Sequence, residues 1–286
     1  MYDLTCSIVL FHNDPSEVKK AVDSVINSNL HVKLFIVDNS REDDLRFEFN
    51  SSKVEYIFTG RNLGYGAGHN VAIKRITGKS KYHLVLNPDV EFDPAILPGL
   101  FAYMEQYTQT GLLMPKVLYK NGEIQYLCKQ LPSPADLILR RFMPTPMKQL
   151  FREKLASYEL RHLDYNNSMQ VPNLSGCFMF IRTEAFSKVG LFDEQYFMYL
   201  EDTDLCRRIN EQYNTVYYPQ ETIIHGYAKS SYKNLKLATY HVQSTLKYFN
   251  KWGWYNDRMR SRINKSLNTA NIFRMPVVEH DIITAN

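Results

Sequence analysis

Hydrophobic and polar positions along the first third of the chain switch between the strand period and the helix period. Thr5-Cys6-Ser7-Ile8-Val9-Leu10-Phe11 is a short apolar run rich in strand formers. After it, Asp14 is placed to cap a helix, Pro15 suits its first position, and Glu17 falls where a capping box takes an acid. Val18, Ala21, Val22, Val25 and Ile26 then recur at helical spacing. Val32 to Val37, Val54 to Phe58 and Tyr82 to Leu86 predict three further strands. A glycine-rich segment, Gly60 to Asn70, and a helix reaching about Ile76 separate the last two. Asp93-Pro94 opens another helix through about Tyr107. This order predicts an α/β fold, a mostly parallel sheet flanked by helices. Ligands of such sheets gather beyond the carboxyl ends of the strands, where Asp38 and Asp89 both stand.

The pattern weakens between Cys128 and Gln170. Pro132, Pro134, Pro144 and Pro146 punctuate this stretch, and Arg140-Arg141 and Lys148 to Lys154 make it basic. A long insertion in a compact domain is usually functional or mobile. Order resumes with Val171 to Ser175, a strand from Cys177 to Ile181, and a short helix that Thr183 is placed to cap and Gly190 to stop. A helix over Glu201 to Gln212 and a short strand from Thr215 to Tyr218, ending at Pro219, follow. In the tail, Leu235, Ala238, Val242, Leu246 and Phe249 make an apolar stripe at helical spacing, with lysines between them.

The 286 residues are enough for one large domain with an appendage, and 44% hydrophobic with 22% charged residues is the balance of a soluble globular protein. The net charge of +4 is unevenly placed. From Gly226 onward ten basic residues face three acids, about +7, which leaves about −3 for the remainder. Such asymmetry suggests a surface partner. Cys6, Cys128, Cys177 and Cys206 are too scattered for a zinc or redox motif, and Cys6 and Cys177 read as buried thiols. No signal-peptide pattern opens the chain and no stretch approaches the roughly twenty apolar residues of a membrane span, so a cytoplasmic protein is expected.

Candidate chemistry centres on two acidic segments. Asp89, directly after a buried strand and held in a tight turn by Pro88, is placed to grip a divalent cation that bridges two phosphates. Asn87-Pro88-Asp89 also has the composition of a plain strand-ending turn. Glu201, Asp202 and Asp204 crowd negative charge at a helix start, where capping alone accounts for some of it. The nearly apolar run from Leu191 to Leu200 delivers that cluster to a partly buried wall, where a carboxylate can take a proton from an attacking hydroxyl. His225 follows an apolar segment, and with Asp89 it would complete an imidazole–carboxylate metal site; a lone histidine is otherwise structural. Gly60 to Asn70 fails the dinucleotide spacing because His69 holds the third glycine place, although a glycine-rich turn opening a helix still presents N–H groups to phosphate.

In combination these segments resemble a family 2 glycosyltransferase of the GT-A fold, in its bacterial rhamnosyltransferase-like branch. The matching pieces run in the family's order. They are Ile36-Val37-Asp38-Asn39-Ser40, Asn62-Leu63-Gly64-Tyr65-Gly66, Leu86-Asn87-Pro88-Asp89, Leu174-Ser175-Gly176-Cys177-Phe178-Met179, Gly190-Leu191-Phe192-Asp193-Glu194, Tyr199-Leu200-Glu201-Asp202-Thr203-Asp204, and His225. The resemblance spans about residues 4 to 231. It implies that Asp38 binds the nucleotide base, that Asn62 and Gly64 lie near the nucleotide, and that Gly176 keeps backbone close to the donor sugar. Asp89 stands in the last place of the family's Asp-x-Asp motif, with Asn87 in place of the first acid, and His225 matches the late metal-binding histidine. Asp202 matches the catalytic base, with Glu201 and Asp204 orienting the acceptor or neighbouring loops.

The implied reaction is an inverting sugar transfer dependent on Mn2+ or Mg2+, from a nucleotide-diphosphate sugar. The motif variants look most like users of dTDP-rhamnose, and users of UDP-hexose or UDP-galactofuranose share the pattern. The implied acceptor is a glycan or a polyprenyl-diphosphate-linked glycan of bacterial surface polysaccharide synthesis. The expected domains are a catalytic domain over residues 1–231, with an acceptor-side or membrane-facing insertion at 128–170, and a basic helical C-terminal extension at 232–286. The basic insertion and tail suit peripheral docking on the inner, anionic face of a membrane; the alternative is a tail helix packed on the catalytic domain. A nucleotidyltransferase lacks its basic glycine-rich loop here, no nucleic-acid module is present, and a non-catalytic sugar-nucleotide binder would need Asp38 and Asp89 but not Asp202.

Overall fold

A computed structural model of the protein describes residues 1–76, 78–144, 148–226 and 235–268. The first half contains β1 (Tyr2–Leu10), α1 (Pro15–Ile26), β2 (Val32–Asp38), β3 (Val54–Phe58), α2 (Tyr65–Ile76), β4 (Ser80–Leu86), β5 (Val90–Glu91), α3 (Ile96–Gln106) and β6 (Thr110–Leu118). The second half contains α4 (Pro134–Phe142), a 3-10 turn (Gln149–Phe151), α5 (Arg152–Tyr158), β7 (Met169–Gln170), β8 (Phe178–Arg182), α6 (Thr183–Val189), α7 (Glu201–Asn210), β9 (Asn214–His225), α8 (Leu235–Trp252) and α9 (Arg258–Asn268). The strands form one sheet in the order β3-β2-β1-β4-β8-β6-β9-β5, with β7 added against β9. Strands β1 to β4 are parallel, with Ile8 opposite both Ile36 and Leu86. Strand β8 enters antiparallel between β4 and β6, so the second half of the sheet is mixed.

The expected elements of the first half are present, and Asp14 caps α1 by accepting the Ser16 N–H. Strand β6 had no counterpart among the expected elements. Its Pro115 and the Pro219 of β9 both lie at one register shift, where Pro115 faces Tyr218 and Lys116 already faces Thr222. A bulge spares the ladder the two missing N–H groups. The strand expected to end at Pro219 therefore continues through it, and His225 is the last residue of β9.

Three more expectations are corrected. The insertion contains a fully capped helix: Ser133 accepts the Asp136 N–H while Asp136 accepts the Ser133 N–H, which opens α4. Thr183 does not cap α6; its hydroxyl donates to the Ser80 and Lys81 carbonyls and pins the helix to β4. In α8 the buried residues are Ser244, Tyr248 and Phe249, whereas Leu235, Val242 and Leu246 of the expected stripe are exposed. Tyr248 and Phe249 pack against Leu137, Tyr196 and Leu200, so the aromatic loop before α7 and helix α4 choose the buried face. The expected extension beyond residue 268, and its part at 232–234, lie outside the described residues.

Polar anchors fasten α8 and α9 to α7 and to the segment at Leu131. Arg207 and Asp257, 3% and 2% exposed, form a buried bidentate pair at 2.6 and 2.8 Å, and Arg207 stacks 4.1 Å from the Trp252 ring centre. Asp204 receives Lys251 and the Trp252 indole N–H, each at 2.8 Å. Asn264 exchanges two hydrogen bonds with the Leu131 backbone. The four cysteines are free and buried.

Candidate active site

The carboxyl ends of β1, β2 and β4, the end of β9 and the start of α7 converge on one region. Asn87 follows β4 directly, and its N–H donates to the Cys177 carbonyl at 2.9 Å. This bond ties the Asn87-Pro88-Asp89 turn to the segment that contains Gly176. Gly176 is held on both sides of its peptide: its N–H donates to Asp202 Oδ2 at 3.0 Å, and its carbonyl accepts the Tyr65 hydroxyl at 2.6 Å. A Cβ at this position would stand 3.1 Å from Asp202 Cβ and 3.3 Å from its carboxylate, so the close approach requires glycine.

Asp202 lies in the first turn of α7 and is partly exposed. The Thr203 N–H donates to its other oxygen at 2.7 Å. Two backbone donors thus fix the carboxylate while it faces a cavity of about 720 Å3, which His225 also lines. The approach to α7 is strained. Tyr199 and Leu200 adopt φ of 70° and 66°, a left-handed conformation that non-glycine residues rarely hold without a functional reason. Glu201 is 5% exposed, its Oε2 has no hydrogen-bond partner, and burial, then the Asp202 charge, push its carboxyl well above the usual range. Of the two adjacent carboxyls, Glu201 is the one whose charged form burial disfavours, while Asp202 is the one that two backbone N–H groups hold.

Asp204 points away from the cavity. It is fully buried, and besides Lys251 and Trp252 it accepts Arg208 Nε at 2.8 Å. Arg208 in turn donates to the carbonyls of Val189, Gly190 and Leu191. Through Arg208, Asp204 is tied to the loop over Val189 to Leu191.

His225 and Asp89 meet at 3.4 Å between Nε2 and Oδ1. Gln125 fixes the ring. Its amide N–H groups donate to the carbonyls of Leu118 and His225, so its oxygen faces His225 Nδ1 at 3.0 Å and requires the proton there. The Nε2 lone pair then looks toward the Asp89 carboxylate and, at 3.5 Å, toward the Asn87 amide. Both distances exceed a well-formed hydrogen bond, and two acceptors so placed suit a cation between them. No group of three His, Cys, Asp or Glu side chains among the described residues makes a closed metal cage. Two protein ligands beside an open face fit a divalent ion that takes its other ligands from phosphate and water.

Asp38 is fully buried, with its oxygens accepting the Ser40 N–H at 2.8 Å and the Tyr56 hydroxyl at 2.6 Å. Any part it has in base recognition runs through Ser40 and Tyr56. Asn62 uses its side-chain oxygen to accept the Gly64 N–H at 2.9 Å, and Asn39 donates to the Gly64 carbonyl at 3.0 Å. Gly64, at φ 87°, lies against the Phe197 carbonyl, where a side chain would collide. This turn thereby links the end of β2 to the aromatic loop before α7. Sequence reasoning missed Tyr65 and Gln125, each of which acts through a partner far away in the chain.

The profile described as Glycosyl transferase family 2 matches residues 6–190. The chain is 28% identical over 232 residues to the N-acetylglucosaminyl-diphospho-decaprenol L-rhamnosyltransferase of Mycobacterium tuberculosis, covering 75% of this chain and 73% of that one. It is 26% identical over 270 residues to Rhamnosyltransferase WbbL of Escherichia coli K12, covering 90% and 97%. Among solved structures it is similar to GalNAc-T7, crystallised with UDP, GalNAc and Mn2+, at a TM-score of 0.60 and 14% identity. That match covers 94% of this chain and about half, 55%, of that one, and it concerns the fold, which is GT-A. With a carboxylate fixed at a cavity wall, an aspartate–histidine pair at the strand ends and this match over most of the catalytic sheet, the chain belongs to glycosyl transferase family 2.

Proposed function

We propose that the protein is a metal-dependent inverting glycosyltransferase that moves rhamnose from dTDP-rhamnose to a glycan acceptor on a polyprenyl-diphosphate lipid, in bacterial surface polysaccharide synthesis. The observation that carries this reading is Asp202, held by the Gly176 and Thr203 N–H groups and open to a cavity that also reaches His225. Asp202 accepts the proton of the acceptor hydroxyl as its oxygen attacks the anomeric carbon from the side opposite the leaving group, which inverts that centre. Glu201 is buried beside Asp202, where its charged form is disfavoured. Gly176 brings backbone close to the donor sugar, and Asn62, Gly64 and Asp38, through Ser40 and Tyr56, form the nucleotide side. Asp89 and His225 would hold Mn2+ or Mg2+, with Asn87 beside them; the bound ion neutralises charge on the departing diphosphate.

The rhamnose donor is supported by the similarity to the mycobacterial and Escherichia coli rhamnosyltransferases. A UDP-hexose is the second reading, supported by 27% identity over 224 residues to the hexosyltransferase Agl10 of Haloferax volcanii. A thermal-shift panel of dTDP-rhamnose, UDP-glucose, UDP-galactose and UDP-GlcNAc, each with Mn2+, separates them, because ligand binding to the native state raises its melting temperature. The expected result is the largest shift with dTDP-rhamnose, abolished by EDTA. A shift with a UDP-sugar alone moves the donor to the second reading, and full activity in metal-free buffer excludes the Asp89–His225 metal role.

Peripheral membrane contact belongs to the same reading. No helix among the described residues is long and apolar enough to cross a membrane. Helix α8 presents Leu235, Val242 and Leu246 to solvent on a cationic segment, a pairing suited to an anionic interface. Cosedimentation with phosphatidylglycerol vesicles and its loss in Val242→Asp/Leu246→Asp test this contact.

A further inference from the structure

The cavity beside Asp202 has a second, cationic side that the transfer step does not use. Lys129, Arg140, Arg141 and Arg161 line it. Glu123 and Glu159 line the cavity with them, beside Glu201 and Asp202, so among the described residues four basic groups meet four carboxyls, and burial disfavours the charged form of Glu201. Glu159 is shared by two guanidiniums, Arg161 at 2.6 Å and Arg140 at 3.6 Å. Glu123 has an oxygen taken by Asn121. Lys129 is partly buried, and its ammonium has no hydrogen bond or ion pair among the described residues. A partly buried ammonium that makes no hydrogen bond is unfavourable unless a ligand accepts one from it.

The electrostatics agree with that geometry. Burial, then the Arg140 charge, bring Lys129 down to about 8, with Asp202 and Glu159 acting in the other direction. Burial, then Arg141 and Arg140, bring His241 down to about 4, so this cavity-lining ring is neutral and leaves the cationic side to lysine and arginine. Lys129 thus senses the proposed base and the insertion's arginines together.

We infer that Lys129, Arg140 and Arg141 form an anion subsite for a diphosphate on the acceptor, so that the acceptor is a glycosyl diphosphate whose sugar hydroxyl reaches Asp202 while its diphosphate rests on α4 and Lys129. The subsite rests on the reading of this cavity as the acceptor side of a sugar transferase. Arginine forks pair well with phosphate oxygens, and a lysine adds a compact point charge. The function of the 128–170 insertion follows: it brings α4, with its two arginines, to the cavity.

The test measures binding without any donor. Titration calorimetry compares N-acetylglucosaminyl-diphospho-farnesol with the neutral farnesyl N-acetylglucosaminide, for the wild-type protein and for Lys129→Gln and Arg140→Gln. Arg140 also contacts Glu159, so Arg140→Lys and the melting temperature of each variant accompany it. The expected result is at least tenfold tighter binding of the diphosphate by the wild type, shrinking severalfold in each Gln variant and partly restored in Arg140→Lys. Equal wild-type affinity for both probes overturns the subsite. So does a diphosphate preference that the folded variants retain. If the preference and its loss are seen while dTDP-rhamnose gives no turnover, the subsite stands and the donor assignment falls. Kinetics with the active donor add a second criterion: the variants raise KM for the acceptor, and a rise in donor KM instead would assign these cations to the donor diphosphate and overturn the proposal.

Discussion

Asp202 accepts the backbone N–H of Gly176 at 3.0 Å, so the proposed base is positioned by a residue twenty-six places earlier that has no side chain to offer. The same peptide receives the Tyr65 hydroxyl on its carbonyl. Helix α2, the segment before β8 and helix α7 are thereby locked at one point.

Asp202→Asn retains an oxygen to accept one of these backbone donors but no longer takes a proton. Turnover is expected to fall by about 10^2 to 10^4. Donor affinity, measured by calorimetry, is expected to stay within about twofold of wild type. Unchanged turnover would remove Asp202 from the role of base.

Gly176→Ala tests the positioning separately from the chemistry. The added methyl meets Asp202 Cβ at 3.1 Å, so the carboxylate must shift by a few tenths of an ångström or more. A loss of about 10^2 in kcat is expected from misplacement of this size, with the protein still folded by circular dichroism. Wild-type kcat would mean that the wall accommodates the methyl without moving the base.

A buried polar chain beneath the sheet sets the acid limit of stability. Thr5 donates to the Tyr82 carbonyl and so accepts His83 Nδ1–H at 2.9 Å; Ser7 donates to His83 Nε2 at 2.9 Å and accepts His69 Nδ1–H at 2.7 Å. Burial lowers His83 to about 3; burial, then His83, puts His69 well below its ordinary value. Both folded-state values lie below the unfolded one, so stability is complete above about pH 6.5 and is lost as pH falls, because the unfolded chain takes up the protons first. Urea denaturation at pH 6.5 and pH 5 should show a loss of about 2 kcal/mol from His83 and a further loss in the same direction from His69. His83→Gln, which keeps partners for Thr5 and Ser7, is expected to remove the His83 part of that loss; an unaltered pH dependence would count against it.

Asp257→Ala leaves Arg207 buried without its partner and is expected to destabilise the fold by about 3–5 kcal/mol. The double substitution Asp257→Ala/Arg207→Met should recover much of the loss, since an apolar side chain under Trp252 has no charge to satisfy. Chemical denaturation of the three proteins measures this, and a single-variant loss below about 1 kcal/mol would show that water reaches the pair.

Local order and chemistry type were legible in the sequence because they depend on neighbours along the chain. The period of apolar residues marked β1 to β4, and Asp14-Pro15 marked the start of α1. Asn87-Pro88-Asp89 declared its place at a strand end, and the ordered set of motifs declared the family. What sequence reading lost was whatever depended on pairing across the sheet. Strand β6 and the continuation of β9 through Pro219 went unread, because only the opposed bulge shows that neither proline is asked to donate.

The tertiary structure alone decided how like residues divide their work. In the run Glu201-Asp202-Thr203-Asp204 burial disfavours the charge of one carboxyl, two backbone N–H groups hold the second at the cavity, and Arg208, Lys251 and Trp252 consume the third. On α8 the buried face was chosen by the partners it meets, which left Val242 and Leu246 outside. Amino-acid type and spacing fix which groups are available and how the chain runs locally. Solvent access and long-range neighbours, which exist only after folding, fix which of them carries charge, which supports a loop and which faces the substrate.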